Sequence, residues 1–251
     1  MSEPATVTPA FYARRGGRAA DWWTLLHPPY TLWHLSYVVI GAALAASLDW
    51  TALGATVLAF FLAVGLAAHA LDELKGRPLG TRIPDRVLVL VATVATAGAC
   101  ALGVAGSLVH GSPNWWLLAA VPVGAVLLVG YNLELFSGRL HTDAVFAWAW
   151  GGFPLVVGFL AQSPPADWSR WVATAGAALA AVGTSYAQRR LSTPARTLRR
   201  RTSAVSGTLW RTDGRVEELD RDTLLAPLEG ALRALSWAIP TVALAALLVH
   251  L

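Results

Sequence analysis

Seven long stretches of this chain carry almost no charge, and that blocking constrains the fold more than any motif does. They cover roughly 33–48, 52–71, 87–109, 115–131, 144–162, 168–187 and 232–250. A helix of about 20 apolar residues crosses the roughly 30 Å of hydrocarbon in a bilayer. Chain length alone would suggest one or two soluble domains, and the blocking overrides it. Charged residues make up 14% of the chain, against roughly a quarter in soluble domains. The runs are rich in small residues, as in Gly41-Ala-Ala-Leu-Ala-Ala46 and Ala173-Thr-Ala-Gly-Ala-Ala-Leu-Ala-Ala181. Small side chains let helix backbones approach closely where lipid gives no hydrophobic drive to association. A spanning sheet would have to close into a barrel of alternating polar and apolar residues, which these runs lack. The expected fold is an all-α integral membrane protein of about seven transmembrane helices.

Charge placement supplies an orientation. With the amino terminus inside, 18 of the 19 basic residues fall on the inner side, Arg233 at its edge, and Arg170 alone falls outside. Cytoplasmic loops carry such an excess, so the chain is expected in the plasma membrane, amino terminus cytoplasmic and carboxyl terminus external. Trp50, Trp115, Trp116, Trp168 and Trp171 then form an outer aromatic belt, and Trp22, Trp23, Tyr30 and Trp33 an inner one. The net charge of +4 fits basic loops facing an anionic leaflet. It needs no nucleic acid, since no compact basic domain exists. Cys100 is the sole cysteine, so no intramolecular disulfide can form. No cleavable signal peptide is evident at the start.

The chain divides into a cytoplasmic segment (1–30, its first 20 residues polar and either disordered or lying on the membrane surface), a six-helix membrane region (31–188), a basic cytoplasmic loop (189–225) and a seventh helix (226–251). Paired Pro28 and Pro29 interrupt helix at the entrance. Asp213-Gly214, between extended-type residues, is a hairpin signal, although an irregular loop fits too. The elaborated loops are the inner ones, which places function on that side.

Two polar clusters sit there. The first is His69-Ala-Leu-Asp-Glu-Leu-Lys-Gly-Arg-Pro78. His69, Asp72 and Glu73 stand at i, i+3 and i+4, on one side of a continuing helix. Grouped carboxylates suit Mg²⁺, and Lys75 and Arg77 would hold phosphate oxygens; the competing reading is an interfacial helix end stopped by Gly76 and Pro78. The second is Tyr131-Asn-Leu-Glu-Leu-Phe-Ser-Gly-Arg-Leu-His-Thr-Asp143, with Asn132, Glu134, Arg139, His141 and Asp143. There Thr142 or Asp143 equally suits a helix cap. His34 either faces the same cavity or packs as a satisfied histidine, and His110 and His250 fall outside. Arg189, Arg190, Arg196 and Arg199–Arg201 form a lipid-headgroup anchor or a diphosphate site. A zinc or iron centre on the same histidines and carboxylates is the weaker reading, because no HExxH or ExxH spacing exists.

This layout resembles the UbiA superfamily of intramembrane prenyltransferases over roughly residues 25–190. His69-Ala-Leu-Asp72-Glu73 with Gly-Arg-Pro-Leu-Gly-Thr81 stands where that family has an acidic motif after its second helix. Tyr131-Asn-Leu-Glu-Leu-Phe-Ser-Gly-Arg139 and Trp150-Gly-Gly-Phe-Pro-Leu155 are similar to its polar loop and fifth helix. The family's second aspartate-rich motif is missing: Ser185-Tyr-Ala-Gln-Arg-Arg-Leu-Ser-Thr-Pro194 holds no carboxylate. The resemblance implies a divergent UbiA-like bundle acting on a prenyl diphosphate, by transfer or cyclisation. It implies His69, Asp72, Glu73 and Glu134 as catalytic groups and Mg²⁺ on Asp72, Glu73 and Asp143. Lys75, Arg77, Tyr131, Asn132, Arg139 and His141 would bind substrate. The alternative is a non-catalytic lipid-binding or scaffold bundle, whose carboxylates would pair with basic loops instead of converging. A transporter is a third reading, without the paired broken helices that mark one.

Overall fold

The computed structural model describes residues 10–14, 16–109, 112–162 and 167–251. Its helices are α1 (Gly17–Leu26), α2 (Pro28–Ala43), α3 (Trp50–Leu74), α4 (Asp85–Leu108), α5 (Trp115–Asn132), α6 (Asp143–Leu160), α7 (Trp168–Arg200) and α8 (Arg221–Leu248). The hairpin of β1 (Gly207–Trp210) and β2 (Val216–Leu219) lies between the last two and is the only sheet among the described residues. Five helices, α3, α4, α5, α6 and α8, are long and apolar enough to cross a membrane. The chain thus fits a multi-pass, all-α membrane protein. Helix α2 has only 16 residues, and α7 combines an apolar first half with a strongly basic end.

The helix starts are written in the sequence. Asp49, Asn114, Thr142 and Asp167 each accept a backbone N–H in the first turn of α3, α5, α6 and α7. Asp220 and Thr223 form a reciprocal capping box on α8. Pro28 and Pro29 occupy the first turn of α2, where their missing N–H costs nothing. His27, in the left-handed conformation at φ 46°, makes the corner from α1.

Polar interactions separate into two ends. At one, Gln162 accepts from the Asp49 N–H at 2.7 Å, Asn114 donates to the Leu160 carbonyl at 2.8 Å and Arg170 donates to the Leu44 and Ala45 carbonyls. His250 Nε2 lies 2.8 Å from the Ala43 carbonyl there. At the other are the ion pairs Lys75–Glu134, Arg77–Asp85, Arg82–Asp21, Arg189–Asp143 and Arg199–Glu229. Between them lies an apolar core of Val38, Phe60, Val64, Leu117, Leu128, Tyr131, Trp150 and Val157. A second cluster, Trp33, Tyr37, Leu155, Ala178 and Ala181, joins α2, α6 and α7. Helices α2 and α6 touch backbone to backbone: a Cβ on Gly41 would overlap the Leu155 carbonyl, and one on Gly158 the Val38 carbonyl.

Several boundaries differ from the sequence expectation. Residues 17–26 form a helix that takes in the last four residues of the polar first stretch, and the backbone from 10 to 14 is pinned to it: Arg14 exchanges two hydrogen bonds with Thr24, and Trp23 Nε1 donates to the Tyr12 carbonyl at 2.9 Å. Residues 1–9 and His110 lie outside the described residues. Helix α7 runs through Pro194 to Arg200, so about the first third of the expected basic loop is helix. Packing of Ala195 and Leu198 against Leu225 and Leu232 of α8 offsets the hydrogen bond that proline removes. Trp33 is fully buried, donating to the Tyr37 hydroxyl, and is no part of an interfacial belt. Trp50, Trp115, Trp116 and Trp168 are exposed at the helix starts of the opposite end.

Candidate functional site

Helix α3 changes to π geometry over Phe61–Ala68 before returning to α over His69–Leu74. A π turn frees carbonyls from their usual partners and often marks a functional segment. Here the Gly65 carbonyl accepts from His69 Nδ1 at 3.1 Å. The π turn of α6, Trp148–Gly152, does the same for His34, whose Nδ1 lies 2.8 Å from the Trp150 carbonyl. In both, the proton sits on Nδ1, because a carbonyl can only accept. His34 is thereby a satisfied, buried histidine.

Glu73 and Asp72 part company at the end of α3. Glu73 is fully buried, and its carboxylate accepts from the Leu79 N–H (2.9 Å), the Thr81 N–H (2.8 Å) and the Thr81 hydroxyl (2.8 Å). It fastens the loop after α3. Arg77, at φ 53°, fastens the same loop by donating to the Thr81 and Ile83 carbonyls and pairing with Asp85. Asp72 is half-buried, with no hydrogen bond or ion pair among the described residues; Arg196 is its strongest favourable charge, followed by His141 and Arg189.

The loop after α5 is built around left-handed backbone at Glu134, Phe136, Ser137 and Gly138. Non-glycine residues held there cost roughly 1–3 kcal/mol each and collect at functional segments. Glu134 is exposed and pairs with Lys75, whose bond holds its carboxyl below the usual range. Arg139 is exposed, and Asn132 is buried with its amide donating to the Leu128 carbonyl. His141 stacks on the Tyr131 ring at 4.4 Å, donates from Nδ1 to the Tyr131 carbonyl at 3.1 Å and turns Nε2 toward Arg189 at 3.4 Å. Arg189 also donates to Asp143 at 3.0 Å. The Tyr131 hydroxyl is buried and has no partner among the described residues, with Arg189 and Arg196 the principal positive charges acting on it.

The opposite wall of this recess comes from the amino-terminal segment. The Tyr12 ring lies 4.8 Å from His27, and His27 lies 4.4 Å from His69. Burial pushes the Tyr12 hydroxyl up to about 12 despite the nearby charges of Arg200, Arg199 and Arg196. His27 falls well below its ordinary value through burial first and the neighbouring His69 second. Ring contacts join Tyr12 to His27, His27 to His69 and Tyr131 to His141, Arg189 approaches His141, and the charges of Asp72, Arg196 and Arg200 act on the same groups, so all nine gather at one recess. Sequence spacing points to His69, Asp72, Tyr131 and His141; it misses Tyr12, in the polar first stretch, and His27, in the lead-in before Pro28 and Pro29. The basic run fits two roles in sequence, and its 189/196/200 spacing, one face of a helix, is the signal that favours a site.

Behind the recess lies an apolar cavity of about 270 Å³ between α3, α4, α5 and α6, lined by residues such as Ala63, Cys100, Gly103, Ala120, Leu128 and Phe153. Trp150 lines it too, and its indole packs against Tyr131 at 4.6 Å and parallel to Phe146 at 5.4 Å. One aromatic layer thus separates an apolar chamber from a basic one.

The donor set does not fit Mg²⁺ held by several carboxylates. Glu73 is committed to its loop, Glu134 to Lys75 and Asp143 to Arg189, which leaves Asp72 alone. No group of three or more His, Cys, Asp or Glu is placed to hold a metal among the described residues. No protein-family model matches the chain, and comparison with curated proteins and with solved structures found no match.

Proposed function

We propose that this chain is a membrane-embedded enzyme that processes an isoprenoid or related lipid, a divergent relative of the UbiA prenyltransferases with seven membrane spans. One observation carries the reading: Trp150 borders both an apolar cavity and, through Tyr131, a recess of arginine, histidine and tyrosine. That pairing suits an amphiphile with a hydrocarbon tail and an anionic head. The tail would lie among α3–α6. The head would meet Arg189, Arg196 and Tyr131, where negative charge grows as a prenyl C–O bond breaks and diphosphate departs. The apolar walls would keep water from the carbon cation left behind. Arg77, spent on its own loop, is replaced in this role by Arg189 and Arg196.

Purified protein offered prenyl diphosphates of ten to twenty carbons tests the reading. Binding should strengthen with tail length, since each buried methylene contributes about 0.8 kcal/mol, and diphosphate should be released. Ala120→Trp, which fills the cavity, should abolish the length dependence. Neither binding nor release at any length counts against the proposal. Binding without release favours a lipid-binding protein, the reading that the ion-paired Glu134 and Asp143 support.

A further inference from the structure

We propose that the recess binds its phosphate or diphosphate group on arginines alone, with no divalent cation. The inference rests on the amphiphile reading above and concerns what replaces the metal.

Arg189, Arg196 and Arg200 stand at i, i+7 and i+11 on α7, so they fall within about 20° of one line along the helix. The row extends roughly 16 Å at 1.5 Å per residue. Arg189 is partly neutralised by Asp143. Arg196 and Arg200 have no hydrogen bond or ion pair among the described residues, and Arg196 is solvent-accessible. Arg189 and Arg200 both repel Arg196, while Asp72 attracts it from beyond ion-pair distance. Three guanidinium groups therefore share one carboxylate partner and one unpaired carboxylate. A divalent cation would add to that surplus of positive charge, and a phosphate would remove it.

A second observation points to the same ligand. Tyr131 is 5% exposed, and its hydroxyl, without a partner among the described residues, lies in the field of Arg189 and Arg196. A buried hydroxyl left unpaired costs about 1–3 kcal/mol, and an oxygen-rich anion would accept from it. Guanidinium forks match phosphate oxygens two at a time, which a metal-free site needs. Asp72 then competes with the anion for Arg196 instead of ligating a metal.

The test is direct binding of farnesyl diphosphate to the full-length protein in EDTA and in millimolar Mg²⁺, with farnesol and inorganic diphosphate as further probes. We expect affinities within about twofold in the two buffers. Arg196→Gln and Arg200→Gln should each weaken binding at least tenfold, and Arg196→Lys should restore only part of it. Asp72→Asn should bind as tightly as wild type or tighter. Binding that appears only with Mg²⁺, or that is lost in Asp72→Asn, overturns this inference while the amphiphile reading stands. Inorganic diphosphate bound in EDTA as tightly as farnesyl diphosphate supports the arginine site, marks the ligand as a free anion and sinks the amphiphile reading. Farnesol bound as tightly as farnesyl diphosphate shows that no anion is recognised and overturns the inference.

Discussion

Two adjacent carboxylates at the end of α3 show how far residue-level reading reaches. Spacing puts His69, Asp72 and Glu73 within one turn of a helix, and the chain is helical over His69–Leu74. On a helix, however, neighbouring residues diverge by 100°, so Asp72 faces the recess while Glu73 turns into the loop that follows. Nothing in the periodicity reveals that the Leu79 and Thr81 N–H groups will wait there. Glu73→Gln replaces an acceptor by a donor facing those groups, and should destabilise by about 1–3 kcal/mol, read as a lower thermal midpoint in detergent. Asp72→Asn should leave the midpoint unchanged. His27 gives a pH signature. Its folded pKa lies well below the ordinary 6.5, so below pH 6.5 the unfolded chain binds more protons and stability falls as pH falls. The contribution has a limiting slope of about 1.4 kcal/mol per pH unit. His27→Asn keeps a residue that tolerates the left-handed backbone and should flatten the loss between pH 7 and 5.5. An unchanged slope would place the titrating group elsewhere.

At the scale of elements, the runs were legible because each is apolar, and the starts because Asp49, Asn114, Thr142, Asp167 and Asp220 are good caps. The hairpin was legible from Asp213-Gly214, with Gly214 at φ 82° in the turn. The continuation of α7 was not, because Pro194 and the charge of the run argue locally for a loop, and the side of α8 that receives Leu198 is far along the chain. Nor were the π turns, which depend on what α3 and α6 pack against. The contact between α2 and α6 gives an element-level prediction. Gly41→Ala and Gly158→Ala force backbones apart and should cost about 1–3 kcal/mol or more. Gly54→Ala and Gly176→Ala, with open space around them, should be neutral. Equal midpoints for all four variants would mean that the two helices are not in contact.

For the whole molecule, positive charge is concentrated at the end that holds Lys75, Arg77 and Arg189, with Arg170 at the other. A reporter fused at the amino terminus is therefore expected to read as cytoplasmic, and one after Leu251 as external. Both on one side would mean an even number of spans, with α2 and α7 the first to question. The asymmetry was legible from charge alone, since it needs only the order of runs and loops. The meeting of Tyr12 and His27 with Arg196 was not, because it is assembled from segments more than 160 residues apart. The shared indole of Trp150 has one more consequence. On the proposed reading, a tail in the cavity would press on Trp150 and an anion beside Arg196 on Tyr131, whose rings pack together, so each would alter the surface offered to the other. Thermodynamic reciprocity then requires that whatever factor the tail applies to the anion's affinity, the anion applies to the tail's. Head and tail fragments added together should bind with a product of affinities different from that of each alone, and Trp150→Ala should uncouple them.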